Sequence, residues 1–378
     1  MSGGIPHFCS RIVVDVMKKV DFLIVGQGLA GSTLADTLLQ AGARVLVVDT
    51  DRPAAASRVA SGMWNPLTFR LLLKSWRADE LLPVARNYYH DACARLGAAM
   101  PEDLQILRIF PDEGAALRWQ DRFQDPAFAP YLVAEKPDAS QYPALETKNG
   151  QGLVNQAGWL NLPSYLAAFR NHLQQQEALL ASDFSPEDVT FTENGIRWKD
   201  IEASKIILCR GQFERQQPWF NWLPLKPAQG DVLTLHVPGL KLREIYNAGF
   251  FILPLGNDHY RVGATYEWDI LSENPTENGK NELLQKFEAA CSLPYQLVDH
   301  QAGIRPTVAD RRPLLGAHPE YEQLVIFNGL GTKGVMIAPY FAHQLSQWLL
   351  GQGSIEDEVH VKRFRKRYEQ QTGRRWNP

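Results

Sequence analysis

The fold of this chain is decided by the stretch VDFLIVGQGLAG, residues 20–31. Val20 to Val25 are mostly apolar and predict a buried strand that runs directly into the glycine pattern GxGxxG. Residues 32–40 then carry apolar side chains at helical spacing. A second apolar strand over 44–48 ends at Asp49, so the whole segment predicts a βαβ unit.

Each glycine of the pattern has a separate physical role. Gly26 permits the tight turn out of the strand, Gly28 lets the backbone approach a pyrophosphate, and Gly31 lets helix and strand pack closely. The helix amino terminus offers free N–H groups and a partial positive charge to phosphates. Asp49 can accept a hydrogen bond from a ribose hydroxyl, which disfavours NADP. The unit predicts a site for FAD or NAD and does not separate them.

The composition is that of a globular protein. With 378 residues, 45% of them hydrophobic, the chain has length for two domains or for one large domain with an insertion. A net charge of −3 gives no support to general nucleic-acid or membrane-surface binding. The cysteines lack CxxC spacing and the histidines lack ligand spacing, so we expect a reducing compartment and no metal site.

Two expectations concern location and the amino terminus. No apolar run of about 18 residues predicts a membrane span, and we expect a cytoplasmic protein. Residues 1–16 are predicted to be a disordered or spurious extension. Arg11 and Asp15 interrupt any signal-peptide core, and Met17 stands just before the first strand.

Later segments of the chain also combine short strands with glycine-rich or polar turns. They are SRVASGMWNP at 57–66, KIILCRG at 205–211, AGIRPT at 302–307, DRRPLLG at 310–316, and NGLGTKG at 328–334.

Together with the βαβ unit, these segments resemble the D-amino-acid-oxidase-like superfamily, which includes glycine oxidase and monomeric sarcosine oxidase. The resemblance covers about residues 17–350, and weaker matches lie at 227–232 and 251–265. It implies an α/β fold in which a Rossmann-type FAD-binding domain is interwoven with an α+β substrate domain on a mostly antiparallel sheet. The implied boundaries are 17–90, 148–222 and 302–378 for the FAD-binding domain, and 91–147 and 223–301 for the substrate domain.

The resemblance also assigns cofactor contacts beyond the βαβ unit. In the family the last glycine-rich turn faces the flavin, where a helix amino terminus can stabilise the anionic reduced ring and Lys333 is a candidate helper. We expect non-covalent FAD, because the family's covalent link needs a cysteine near the chain end and the last cysteine here is Cys291. The assigned positions are Ser57, Arg58, Gly62, Met63, Gly211, Gly331, Thr332, Lys333, Gly334 and Val335.

Arg305 is the candidate for substrate binding. It falls at the arginine of the family's GxRP motif, which binds the substrate carboxylate, and a guanidinium can make two parallel hydrogen bonds to a carboxylate. Where several members carry a carboxylate-holding tyrosine, this chain has Phe251, with Tyr246 or Tyr266 as alternatives. No general base is assigned.

These features predict an FAD-dependent oxidoreductase that oxidises the C–N bond of a small amino acid or secondary amine, by hydride transfer to flavin N5 and with O₂ as acceptor. Three alternatives stay open: a dehydrogenase that passes electrons to a carrier or quinone, a tRNA wobble-uridine side-chain oxidase, and a flavin-binding protein without turnover. The turn at 329–334 resembles the tRNA-modifying branch, whereas the acidic charge balance disfavours a nucleic-acid partner. The basic run at 362–367 is predicted to be a solvated helix face. Substrate and oligomeric state are left open.

Overall fold

The structure is a computed structural model that describes residues 17–134, 139–269 and 271–376. The predictions made for residues 1–16 lie outside these residues.

The described residues form two large sheets, a small hairpin and the helices that cover them. In chain order the strands are β1 (Lys18–Val25), β2 (Val45–Val48), β3 (Met63–Trp64), β4 (Leu67–Thr68), β5 (Leu73–Lys74), β6 (Glu102–Ile109), β7 (Gln151–Trp159), β8 (Leu179–Leu180), β9 (Val189–Thr192), β10 (Gly195–Trp198), β11 (Ile201–Leu208), β12 (Ala228–His236), β13 (Ile245–Asn247), β14 (Phe251–Gly256), β15 (His259–Gly263), β16 (Gln296–Arg305), β17 (Leu314–Ala317) and β18 (Leu324–Asn328). The helices are α1 (Leu29–Gln40), α2 (Ala56–Val59), α3 (Ala78–Leu96), α4 (Glu113–Phe123), α5 (Leu162–Gln175), α6 (Glu277–Ala290), α7 (Gly334–Leu349) and α8 (Arg365–Thr372).

The first sheet is the predicted nucleotide-binding sheet, with strand order β17-β18-β11-β1-β2-β8. The pairs from β18 to β8 are parallel, and β17 is antiparallel to β18. Phe22 and Ile24 pack on the face that also buries α1 and α7, whereas Leu23 and Val25 pack on the other face. Both faces are therefore buried, which explains why β1 is a nearly continuous apolar run. The predicted hairpin at 188–198 is confirmed as β9 and β10.

The second sheet has the order β16-β12-β15-β14-β13-β6-β7-β3. All its neighbouring pairs are antiparallel except β13 and β6, which confirms the predicted mostly antiparallel sheet. Helix α6 covers one face, where Leu283 and Phe287 pack against Leu233 and Leu235. The fold class is the expected α/β fold with a Rossmann-type unit. The domain boundaries stay a prediction, and β7, which lies in the predicted FAD segment 148–222, pairs in this second sheet.

The parallel strands of the first sheet bring distant turns to one edge. Strands β1, β11 and β18 run in the same direction, so the turns that begin at Gly26, Cys209 and Gly329 follow their carboxyl ends side by side. This is the edge at which open α/β sheets bind ligands. Within the three described ranges, no helix has both the length and the apolar character needed to cross a membrane.

Candidate active site

A cavity of about 460 Å³ lies at the carboxyl edge of the parallel strands and is lined by residues of both sheets. This volume falls within the range of about 300–1,000 Å³ that is usual for ligand pockets. Of the residues assigned from the sequence, Gly31 does not line the cavity. Those that do are Gly26, Gly28, Asp49, Ser57, Arg58, Gly62, Met63, Gly211, Arg305, Gly331, Thr332, Lys333, Gly334 and Val335.

The three glycines of the first turn differ in what surrounds them. Gly26 has a φ of +102°, and a Cβ atom there would lie 2.7 Å from the carbonyl oxygen of Cys209. A Cβ atom at Gly31 would overlap the carbonyl oxygen of Gly26, so this glycine serves the contact between helix and strand. At Gly28 the nearest atom to such a Cβ would be the Ser57 hydroxyl oxygen, 3.3 Å away. Gly28 therefore lines the cavity at the amino terminus of α1 with this hydroxyl as its one tight neighbour among the described residues, which fits the close approach of the FAD pyrophosphate.

Ser57 and Arg58 lie beside this helix terminus, in the short helix α2. The Ser57 hydroxyl oxygen accepts a hydrogen bond from the backbone N–H of Leu29 at 3.0 Å. Arg58 forms an ion pair with Asp51 through its Nη2 atom. These contacts hold α2 against the wall of the cavity next to Gly28.

Asp49 lines the cavity and is held by three hydrogen-bond donors. Its Oδ2 atom accepts from the backbone N–H of Gln27 at 2.9 Å. Its Oδ1 atom accepts from the Asp51 N–H at 2.7 Å and from Arg170 Nη1 at 3.0 Å. Arg170 also donates to the Gln27 side-chain oxygen at 3.2 Å. The sequence did not indicate Arg170, because it lies on α5 without any motif around it.

Arg210 and Glu214 form a second ion pair beside the cavity, and the sequence did not indicate it either. Arg210 lines the cavity, and its guanidinium lies 5.3 Å from the ring centroid of Phe184. Glu214 is fully buried 3.5 Å from Arg210. Burial raises the pKa of Glu214 to about 7, although the Arg210 charge acts in the opposite direction.

The last glycine-rich turn brings a buried cation to the cavity. Gly331 has a φ of +61°, and α7 begins at Gly334 without a side-chain cap. Lys333 Nζ donates to the carbonyl oxygen of Asn65 at 3.0 Å and to the Ser75 hydroxyl at 2.6 Å. Burial lowers the pKa of Lys333 to about 8. A lysine charge and an open helix terminus are thus combined on one wall.

Arg305 lines the cavity at the last residue of β16. Its Nη1 atom donates to the carbonyl oxygens of Gln229 and Thr265, both at 3.2 Å. A Cβ atom at Gly230 would overlap the guanidinium, so this glycine makes the space in which Arg305 lies. The Tyr266 ring covers the guanidinium, with 4.4 Å from Cζ to the ring centroid. Burial lowers the pKa of Arg305.

Some of the aromatic candidates for the site line the cavity, and others are buried in the core. Phe251 and Tyr266 line the cavity. Tyr246 is buried with α6 on the other face of the sheet, and its hydroxyl donates to the Glu146 carbonyl oxygen at 3.4 Å. Trp64 is likewise a core residue, buried beside the backbone of β7. Among the described residues, no group of three or more histidine, cysteine or acidic side chains is arranged to hold a metal ion.

Three curated proteins illustrate what the chain is similar to. The bifunctional protein ThiO/ThiG of Trichormus variabilis is 26% identical over 92% of this chain and 55% of its own length. The tRNA 5-methylaminomethyl-2-thiouridine biosynthesis bifunctional protein MnmC of Legionella pneumophila is 24% identical, over 87% of this chain and 53% of its own length. The chain thus spans about half the length of these two relatives. The glycine oxidase of Pseudomonas aeruginosa is 24% identical, over 89% of this chain and 96% of its own length.

Solved structures share the fold. The iminodiacetate oxidase of Chelativorans sp. BNC1 superposes with a TM-score of 0.75 at 22% identity, covering 90% of this chain and 98% of the other. The glycine oxidase of Bacillus cereus superposes with a TM-score of 0.76 at 18% identity, covering 89% and 96%. The family model described as DAO, FAD dependent oxidoreductase, matches residues 21–348. The chain therefore belongs to the DAO family of FAD-dependent oxidoreductases.

Proposed function

We propose that this chain oxidises the C–N bond of a small amino acid or secondary amine that carries a carboxylate. The observation that carries the proposal is the incomplete hydrogen bonding of the Arg305 guanidinium. One nitrogen of its guanidinium is tied to backbone carbonyls, and its other N–H groups have no acceptor among the described residues. A desolvated guanidinium with free donors at a cavity wall is suited to a carboxylate. The same cavity holds the glycine-rich turns that fit FAD.

The geometry of the substrate end favours one orientation of a bound amine. Arg305 would fix the carboxylate through paired hydrogen bonds, and Tyr266 limits movement on the outer side. Apolar side chains from the sheet, Val232, Phe251 and Ile304, line the same region and exclude water from the reacting carbon. FAD, when bound, supplies the chemistry by accepting a hydride from that carbon.

Lys333 and the amino terminus of α7 would stabilise the negative charge of the reduced cofactor. Reduction adds negative charge to the cofactor, and a buried ammonium beside open N–H groups stabilises negative charge. No histidine is among the described residues that line the cavity. We therefore propose that the amine reacts in its neutral form without a strong protein base, so that flavin reduction accelerates as pH rises toward the pKa of the substrate ammonium.

The test is anaerobic mixing of the yellow protein with a panel of carboxylated amines, followed by the flavin absorbance. Bleaching by at least one member is the expected result, and hydrogen peroxide should form when oxygen is admitted. Bleaching without reoxidation by oxygen would show a dehydrogenase instead of an oxidase. If no carboxylated amine bleaches the flavin while an uncharged amine does, the role given to Arg305 is wrong.

A second candidate function is removal of a side chain from a tRNA nucleoside, because MnmC is similar over 87% of this chain. The basic run near the carboxyl terminus gives this function little support. Arg363 is paired with Asp310 at 2.8 Å, and Arg365 with Glu369 at 2.9 Å. Mass analysis of nucleosides from modified tRNA, before and after incubation with the enzyme, distinguishes the two functions. Loss of an alkyl group from the side chain of the wobble uridine would favour the tRNA substrate.

A further inference from the structure

Three arginines of the second sheet, one buried and two half-buried, have no acidic partner within 4.0 Å in the described part of the chain: Arg108, Arg261 and Arg305. Burial lowers the pKa of all three guanidinium groups. A buried charge without a counter-ion is costly, so each of them calls for a physical reason. Arg305 has one in the substrate carboxylate. Arg261 is bound weakly to the carbonyl oxygen of Val59 and to Gln301, both at 3.5 Å.

Arg108 lies on β6 and is only 7% exposed. Its Nη1 atom donates to the side-chain oxygen of Asn247 at 2.7 Å and to the Asn247 carbonyl oxygen at 3.4 Å. The ring of Phe69 covers the guanidinium, with 5.0 Å from Cζ to the centroid. A neutral amide and an aromatic ring orient this cation, and Asp112 acts on it only through its charge, from beyond salt-bridge distance.

The register of the sheet relates Arg108 to the substrate end of the cavity. Asn247 is paired with Arg108 on β6 and with Phe251 on β14. Directly paired residues project from the same face of a sheet, and adjacent strands lie about 4.8 Å apart. Phe251 lines the cavity, so Arg108 lies on the same face, about 10 Å further along the sheet.

The hairpin of β4 and β5 also extends from the cavity toward Arg108. Asn65 lines the cavity, and the hairpin of β4 and β5 follows it directly in the chain. Phe69, in the loop of this hairpin, is the residue that covers Arg108. Arg108, Asn247 and Phe69 are not among the residues that line the cavity, but the sheet and the hairpin both continue from it toward this guanidinium.

We propose that Arg108 and Asn247 form a second anion subsite, which binds a carboxylate or phosphate group at the distal end of the substrate. The inference rests on the proposed amine oxidation and deepens it. The substrate class becomes an amino acid or secondary amine with a second acidic group, on a chain long enough to reach about 10 Å beyond Phe251. Arg108 supplies the charge and the planar donors, and the amide of Asn247 positions them.

Substrate pairs test the subsite in the intact holoenzyme. Flavin reduction is measured with amino dicarboxylates of increasing chain length and with their distal amides, and separately with phosphate esters and the parent alcohols. At the matching length, the anionic member should be preferred about ten- to a hundredfold, the range of a charge-assisted hydrogen bond. Preference within the first or the second series identifies carboxylate or phosphate as the group. Equal rates in both series at every length would overturn the proposal.

Two substitutions separate an anion subsite from a structural role. Arg108→Gln removes the charge, and Asn247→Asp places a carboxylate where the amide now accepts from Arg108. Both should reduce the preference to about one, although Asn247→Asp pairs the buried charge and should raise the melting temperature. Arg243→Gln, which removes an exposed arginine just before β13, is the matched control and should keep the preference. An Asn247→Asp protein that keeps the full preference would refute the subsite.

Failure of the proposed function can be recognised separately. If no amine reduces the flavin, the oxidised holoenzyme is titrated with linear dicarboxylates, their monoamides and inorganic phosphate, and binding is followed by the flavin absorbance. Tighter binding of a dicarboxylate than of its monoamide, or a spectral response to phosphate, lost in both Arg108→Gln and Asn247→Asp, supports the subsite even then. Binding that is the same in all three proteins counts against it.

Discussion

The guanidinium of Arg170 lies 3.0 Å from the carboxylate of Asp49, although the two residues are 121 positions apart in the chain. Both side chains are largely buried, at 11% and 20% exposure. The acid that is expected to accept from the ribose is therefore oriented by a cation from α5, which also contacts Gln27 in the first glycine turn.

Replacing Arg170 by methionine should weaken FAD binding about tenfold, because Asp49 loses the donor that orients it; tenfold corresponds to about 1.4 kcal/mol. The dissociation constant can be measured from the rise of flavin fluorescence when the holoprotein is diluted. Arg197→Met removes an exposed arginine paired with Glu202 at 3.0 Å and serves as the control. FAD affinity equal to that of the parent protein would show that Asp49 does not depend on Arg170.

Replacing Gly28 by alanine should lower FAD binding, whereas replacing Gly31 by alanine should lower the stability of the fold. At Gly28 the added methyl group meets only the Ser57 hydroxyl at 3.3 Å, so the protein should fold while its FAD content falls at least tenfold. At Gly31 the methyl group overlaps the Gly26 carbonyl, and the free energy of unfolding should fall by about 1–3 kcal/mol. Flavin content and thermal melting measure the two effects. A Gly28→Ala protein with normal flavin content would contradict the assignment of the pyrophosphate site.

Arg305→Ala should keep its flavin and lower the rate of flavin reduction by a carboxylated amine about ten- to a hundredfold, since a charge-assisted hydrogen bond contributes about 1.5–3 kcal/mol. Arg305→Lys should recover little, because an ammonium cannot make the two parallel bonds of a guanidinium. Stopped-flow absorbance measures the rate. The same series with an amine that lacks a carboxylate should show a much smaller loss. Unfolding of the alanine variant would instead assign Arg305 to the structure.

Lys333 should make stability depend on pH in the alkaline range. Its pKa in the folded protein is about 8, below the ordinary value of 10.5. The unfolded chain therefore binds more protons between pH 8 and 10.5, and this group's contribution to the free energy of unfolding rises by up to about 3 kcal/mol across that window. Lys333→Met should remove this rise in urea denaturation curves and should also lower the flavin reduction potential at pH 7. A potential that stays the same would place the lysine charge away from the cofactor.

Glu214 should make the free energy of unfolding fall as pH rises, in a lower pH range than that of Lys333. Burial raises its folded pKa to about 7, above the ordinary value of 4.5, so the folded protein binds more protons between those values. Its contribution to the free energy of unfolding falls by up to about 3 kcal/mol as pH rises from 4.5 to 7. Glu214→Gln should flatten this part of the profile, with the conservative Glu187→Gln at an exposed site as the control. A slope that survives Glu214→Gln must come from another group.

Local pattern was sufficient for the parts of the site that lie in turns. Gly26, Gly28 and Asp49 could be assigned to the cavity lining because strand, turn and helix follow one another in the chain, and Arg305 because its motif is contiguous. Their roles toward cofactor and substrate stay predictions. Contacts made by strand pairing could not be predicted. Nothing near Gly230 in the sequence indicates that it makes room for Arg305, because that relation exists only through the register of β12 and β16.

The choice between Tyr246 and Tyr266 shows the same limit. Side chains alternate between the two faces of a strand, so Tyr246 faces α6 because its neighbour Asn247 faces the other side. Without the strand boundaries this alternation has no starting point. Tyr266 lies just beyond β15, where the loop places its ring over Arg305.

The order of assembly during synthesis follows from the two turns that meet at the cavity. The turn at Gly28 is synthesised well before strand β18 and the turn at 331–335. Strand β1 must also wait for β11 before its second neighbour is present. A nascent chain therefore has one wall of the cofactor cavity long before the other, and stable capture of FAD has to follow synthesis through residue 335.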